Sequence, residues 1–269
     1  MTKPNVLILT GYGINCDEET KFAFEKCKAI AEIVHVNDLI ENSSLLKNYQ
    51  IITFAGGFSY GDDTGSGKAL ANRVKNNLSE SLLEFVERDT LVLGICNGFQ
   101  VVTNLGLVPA LEKPFGHVEA SLEHNKSNRY QCRWIDLKVD SKSPCIFTQG
   151  IDTLHIPVAH GEGNYYANED ILSIIENEHL APLKYAKPTG ELAEGEFPYN
   201  PNGAVNDIAA ICTRSGRVMG MMPHPERGML FTQRDDWTFL KEKYIRENID
   251  IPEESDGIKI FKNAVNYFA

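Results

Sequence analysis

The chain has 269 residues, enough for one large α/β domain or two small ones. Its 26 basic against 37 acidic side chains give a net charge of −11, which argues against a nucleic-acid binder. No run of about twenty apolar residues occurs, so no transmembrane helix and no membrane association are expected. The early apolar stretch Val6-Leu7-Ile8-Leu9 is too short for a signal peptide. The six cysteines, Cys16, Cys27, Cys96, Cys132, Cys145 and Cys212, show no Cys-x-x-Cys pair and no regular spacing. Neither a metal site nor a disulfide framework is indicated, and a cytoplasmic location suits the pattern.

In chain order, Val6–Leu9 reads as a strand. Asp17–Ile30 reads as a helix with Phe22, Phe24 and Cys27 among its candidate buried positions. Ala31–Val36 and Ile51–Phe54 follow as strands. The third strand runs into Ala55-Gly56-Gly57-Phe58-Ser59-Tyr60-Gly61-Asp62. A Gly-Gly turn after a parallel strand lets backbone N–H groups approach a ligand, so Gly57 or Phe58 is a candidate oxyanion donor. An ordinary strand-to-helix turn is the alternative. The loop lacks the Gly-Lys-Ser/Thr ending of a phosphate cradle, and Gly65-Ser66-Gly67-Lys68 has no Ser or Thr after its lysine.

Lys68 to Glu87 reads as a helix and Leu91–Ile95 as the next strand. It leads into Gly94-Ile95-Cys96-Asn97-Gly98, followed by the helix-compatible Phe99-Gln100-Val101-Val102. Strand, Gly-x-Cys-x-Gly and helix make a nucleophile elbow carrying sulfur. Such a turn is expected to expose the Cys96 thiol at a helix N-terminus, whose partial charge favours the thiolate. It also aims the Asn97 N–H at a developing oxyanion. A buried cysteine in a core turn is the alternative, disfavoured by the two glycines. Strand and helix alternate over these first hundred residues, which predicts an α/β fold: a doubly wound, mostly parallel sheet flanked by helices, with its site at the carboxyl ends of the strands.

The second half reads as an antiparallel or mixed extension. Arg133–Val139 and Leu154–Pro157 are short strands, and Asp207–Thr213 and Arg217–Met221 flank a Ser215-Gly216 turn. Lys187 to Asn202, rich in Pro, Gly and Glu, is expected to be an exposed loop. In Met221-Met222-Pro223-His224-Pro225-Glu226-Arg227 the prolines exclude a helix interior and favour extended backbone. Positions two apart then point the same way, so Glu226 can orient one ring nitrogen of His224 while the other faces a thiol. A rigid surface loop is the alternative. Helices over Asp235–Glu247 and Gly257–Phe268 close the chain. No composition break marks a boundary, so 1–269 is read as a single domain with a helical extension from about 232.

Gly-Ile-Cys-Asn-Gly-Phe-Gln, Gly-Gly-Phe-Ser-Tyr-Gly-Asp and Pro-His-Pro-Glu-Arg together resemble class I (triad-type) glutamine amidotransferases. Gly13-Ile14-Asn15-Cys16-Asp17, residues 125–134 (NKSNRYQCRW) and Pro157-Val158-Ala159-His160-Gly161-Glu162-Gly163 narrow the resemblance to the glutaminase subunits of phosphoribosylformylglycinamidine synthase. The likeness runs from Pro4 to about Arg227. It implies Cys96 as nucleophile, His224 as base and then acid, and Glu226 as its orienter. It implies Gly57 and Asn97 amides as the oxyanion hole and Gln100 as a contact to substrate glutamine. Arg129 and His160 fall near the glutamine pocket or a partner interface. It further implies no cofactor in this chain. ATP and magnesium would belong to a large synthetase partner that turns formylglycinamide ribonucleotide into the amidine with the ammonia released here, and a small third subunit can take part. The stretch from Trp237 to Glu254 departs from shorter family members. Another triad amidotransferase, a γ-glutamyl hydrolase, a different thiol hydrolase and a non-catalytic scaffold are the alternatives.

Overall fold

A nine-stranded sheet organises the chain in this computed structural model, whose described residues are 3–111 and 116–269. The first half alternates strands and helices: β1 (Asn5–Thr10), α1 (Asp17–Lys26), β2 (Ile30–His35), α2 (Val36–Glu41), β3 (Ile51–Phe54), α3 (Lys68–Glu87), β4 (Leu91–Ile95) and α4 (Asn97–Asn104). The second half contributes β5 (Ala120–His124), β6 (Gln131–Val139), β7 (Thr153–His160), β8 (Glu162–Ala167), α5 (Glu169–Asn177), β9 (Leu183–Ala186), β10 (Ile208–Cys212) and β11 (Val218–Met221). Two helices, α6 (Trp237–Glu247) and α7 (Ile258–Asn266), follow.

Strand order is β2-β1-β3-β4-β11-β10-β9-β6-β7, with β5 and β8 forming a separate antiparallel pair. The first five strands in that order are parallel, and from β11 onward every pairing is antiparallel. The predicted doubly wound sheet with an antiparallel extension is therefore present. β3, β4, β10 and β11 are buried throughout, as strands covered on both faces must be. Helix α3 covers the sheet with Leu70, Val74, Leu78, Leu82 and Phe85, a stripe at helical spacing.

Several boundaries move. Helix α1 ends at Lys26, because Lys28 takes a left-handed φ of 70° and stops it, and β2 begins at Ile30. Phe24 is buried, but Phe22 faces solvent and Cys27 is half-buried. Residues 187–202 are not a plain exposed loop. Ala193, Asn200 and Asn202 are buried, and the Asp207 carboxylate accepts hydrogen bonds from Glu194 N–H (2.6 Å), Gly195 N–H (2.8 Å) and Asn200 Nδ2 (2.8 Å). The two C-terminal helices differ in kind. Helix α7 packs Phe261 edge-on against Phe24 and belongs to the core, whereas α6 buries no residue. Among the described residues no helix is long and apolar enough to cross a membrane.

Candidate active site

Four adjacent parallel strands, β1, β3, β4 and β11, send the loops that follow them to one end of the sheet. The elbow after β4 has the expected geometry. Cys96 sits at φ 52°, ψ −106°, a strained conformation for a residue with a Cβ, and is anchored by its N–H to the Met221 carbonyl of β11 at 2.8 Å. Its flanking glycines are sterically required: a Cβ on Gly98 would fall 1.8 Å from the Phe54 carbonyl oxygen, and one on Gly94 would fall 2.6 Å from that of Gly98. Contrary to expectation, the thiol is buried. Its Sγ lies 3.7 Å from the Ala159 carbonyl, because β7 closes over the elbow.

His224, the expected base, lies in the loop after β11. His224 N–H is tied to the Pro157 carbonyl at 2.8 Å. The extended backbone expected for residues 224–226 is not what places Glu226. Pro225–Arg227 form a short 3-10 turn, which brings Glu226 Oε1 within 2.5 Å of His224 Nδ1. Both side chains are buried, and the other ring nitrogen, Nε2, has no hydrogen bond among the described residues. Burial opposes a charged imidazole. The Glu226 carboxylate and then the neighbouring Cys96 sulfur more than offset it, so the His224 pKa lies well above its ordinary value. Cys96, His224 and Glu226, the three residues expected to form a triad, are thus neighbours.

A second buried thiol stands behind this pair. Cys16 Sγ is 4.0 Å from His224 Nδ1 and receives a hydrogen bond from Arg227 Nη2 at 2.9 Å. Burial keeps this thiol's pKa raised. Cys16, His224 and Glu226 offer ligand atoms within 4.8 Å of one another. The 2.5 Å contact between Nδ1 and Oε1 leaves no room for an ion between them, and the Arg227 guanidinium already occupies the place of a cation.

Cys96 opens into a cavity of about 450 Å³. Gly57, Phe58, Gln100, Arg129 and His160, all predicted site residues, line it together with Asp62 and Glu162. Among the described residues neither the Gly57 nor the Asn97 N–H donates a hydrogen bond. The Phe58 N–H is already committed to the Gly13 carbonyl at 2.8 Å, which removes Phe58 as an oxyanion donor. Gln100 is committed too: its Nε2 donates to the Glu162 carbonyl (2.6 Å) and its Oε1 accepts from Asn97 Nδ2 (2.9 Å). It holds the cavity wall in place.

Asp62 and Glu162 were not singled out from sequence, although both lie in the quoted motifs. Burial first, and the Glu162 charge among the further causes, raise the Asp62 pKa. Neither carboxylate pairs with a Lys or Arg among the described residues. Glu162 has the exposed His124 3.5 Å away and accepts the Ser66 N–H at 3.2 Å, and among the described residues the Arg129 guanidinium forms no ion pair. Two carboxylates and an uncommitted guanidinium on one cavity wall are a signal that spacing along the chain does not carry.

Residues 3–268 match the CobB/CobQ-like glutamine amidotransferase domain. A phosphoribosylformylglycinamidine synthase subunit PurQ from Methanococcus maripaludis is 50% identical, over 98% of this chain and 97% of its own length. This chain belongs to the PurQ family of glutamine amidotransferases. A PurQ subunit from Dehalococcoides mccartyi is 41% identical over 99% of this chain and 98% of its own. The solved structure of PurLQS from Thermotoga maritima superposes at a TM-score of 0.70 with 27% identity, covering all of both chains.

Proposed function

We propose that this chain is the glutaminase subunit that supplies ammonia to a phosphoribosylformylglycinamidine synthase partner. The observation that carries the reading is the buried His224–Glu226 pair at 2.5 Å, set beside Cys96 on a strained elbow that opens into a cavity of about 450 Å³. The Cys96 thiolate attacks the side-chain carbon of glutamine, and the Gly57 and Asn97 N–H groups receive the oxyanion. Protonated His224 gives its proton to the departing ammonia, leaving a γ-glutamyl thioester. The imidazole then draws a proton from water, and the resulting attack releases glutamate. Glu226 fixes the tautomer and stabilises the imidazolium.

The cavity suits the rest of the amino acid. Arg129 faces the α-carboxylate, and Asp62 and Glu162 face the α-ammonium. The large synthetase subunit holds the ATP and magnesium that activate the nucleotide, a small third subunit completes the complex, and all of them work in the cytoplasm. The test is Cys96→Ala in the reconstituted complex. Glutamine-dependent amidation should be abolished while ammonia-dependent amidation persists, and loss of both would sink the reading. A glutamine-mimicking diazoketone should modify Cys96 alone, with protection by glutamine.

A further inference from the structure

His160, the last residue of β7, is buried and lines the same cavity as Cys96. Its ring is fixed from the Nδ1 side. Asn125, also buried, donates its Nδ2 protons to the carbonyls of Arg129 and His160, each at 2.9 Å. The remaining amide atom, Oδ1, therefore faces His160 Nδ1 at 3.1 Å. An amide oxygen only accepts, so Nδ1 carries the proton. Gly163 closes the same edge: a Cβ there would fall 2.9 Å from Nδ1. Burial, then the nearby His224 charge, push the His160 pKa down to about 3, so the ring is neutral at physiological pH.

A neutral imidazole protonated at Nδ1 presents a bare lone pair at Nε2. That atom is buried and has no partner among the described residues. Leaving a buried acceptor unpaired is unfavourable, and a donor on a bound ligand would recover that loss. We infer that His160 Nε2 accepts a hydrogen bond from the carboxamide NH2 of bound glutamine and thereby selects glutamine over glutamate. The inference rests on the glutaminase reading above. The carboxamide is the right donor because His160 adjoins Ala159, whose carbonyl is 3.7 Å from Cys96 Sγ, at the end of the cavity where the amide is attacked. The α-ammonium has Asp62 and Glu162 instead. A γ-carboxylate would set lone pairs against the lone pair of Nε2, so the product is repelled from the place its amide precursor occupied.

The test uses the complex with the synthetase partner and compares glutamine with its γ-methyl ester, whose leaving group has no N–H. In His160→Leu, kcat/KM for glutamine should fall about 10-fold or more while that for the ester changes less than about twofold, and glutamate should inhibit more tightly than in wild type. Equal losses for both substrates, with glutamate inhibition unchanged, overturn the inference. A wild-type complex that does not hydrolyse glutamine at all overturns the glutaminase reading instead. Should the variant not fold, imidazole nitrogen NMR of the Cys96→Ala complex decides. Nε2 should be unprotonated, and its resonance should move on adding glutamine and not glutamate. A protonated Nε2, or one indifferent to glutamine, overturns the inference.

Discussion

Replacing Glu226 by Gln removes a charge from the site while keeping its shape. His224 and Glu226 are 2% and 0% exposed, so water does not screen the pair, and their contact is 2.5 Å. An opposite charge this close shifts a partner's pKa by about 1–3 units, or about 1.4–4 kcal/mol at 1.36 kcal/mol per unit. Complete burial puts the expected loss in the upper half of that range. The raised pKa of His224 should therefore drop in Glu226→Gln. Imidazole nitrogen NMR of His224, followed from about pH 5 to about pH 10, reads this directly. The midpoint should fall by about one unit or more, and glutamine-dependent turnover should fall on the order of 10²- to 10⁴-fold. An unmoved midpoint with intact folding would refute the electrostatic account of the pair.

Gly98→Ala places a methyl 1.8 Å from a backbone carbonyl that cannot rotate away, so β3 and the elbow must separate. Denaturant midpoints should show a loss of about 3 kcal/mol or more, and Cys96 labelling should collapse. Phe261→Ala should cost about 3–5 kcal/mol in urea unfolding, whereas Phe239→Ala, 70% exposed on α6, should stay within about 0.5 kcal/mol. Buried neutral His160 makes stability depend on pH. Its folded pKa of about 3 lies below the ordinary 6.5, so the unfolded chain binds the proton first as pH falls. Its contribution is complete above about pH 6.5 and is lost progressively toward pH 3. Between pH 7 and pH 5, wild type should lose about 2 kcal/mol relative to His160→Asn, at 1.36 kcal/mol per unit over about 1.5 units. Parallel stability curves for the two would contradict this.

Much of the fold was readable because its signals are local. The runs Val6–Leu9, Ile51–Phe54 and Leu91–Ile95 are buried parallel strands, and such strands show themselves as short apolar blocks. The elbow was readable because glycines at fixed offsets answer to one steric demand. What escaped depends on contacts between distant segments. The Gly13 carbonyl, which takes up the Phe58 N–H expected to be free for an oxyanion, reaches it across forty-odd residues of chain. Cys96 was expected at an exposed position, and only β7, arriving some sixty residues later, covers it. Asn200 and Asn202 are buried in a segment whose composition reads as solvated loop, because the Asp207 network and the Tyr185 hydroxyl satisfy their amides. The His224–Glu226 contact was foreseen, yet the backbone that makes it is a 3-10 turn where extended chain was expected.

The register of β4 against β11 also bears on when this protein becomes dangerous to its cell. Ile95 lies opposite Met221, so Cys96 and His224, in the segments that follow these neighbouring strands, come together from positions more than a hundred residues apart. Such pairing closes late, after most of the chain is available. A nascent polypeptide that ends before β11 has neither His224 nor Glu226. It should therefore be unable to release ammonia while no synthetase is docked to receive it. Ribosome-stalled chains ending before β11 should resist the diazoketone that modifies the finished protein, which makes completion of the sheet the event that arms the thiol.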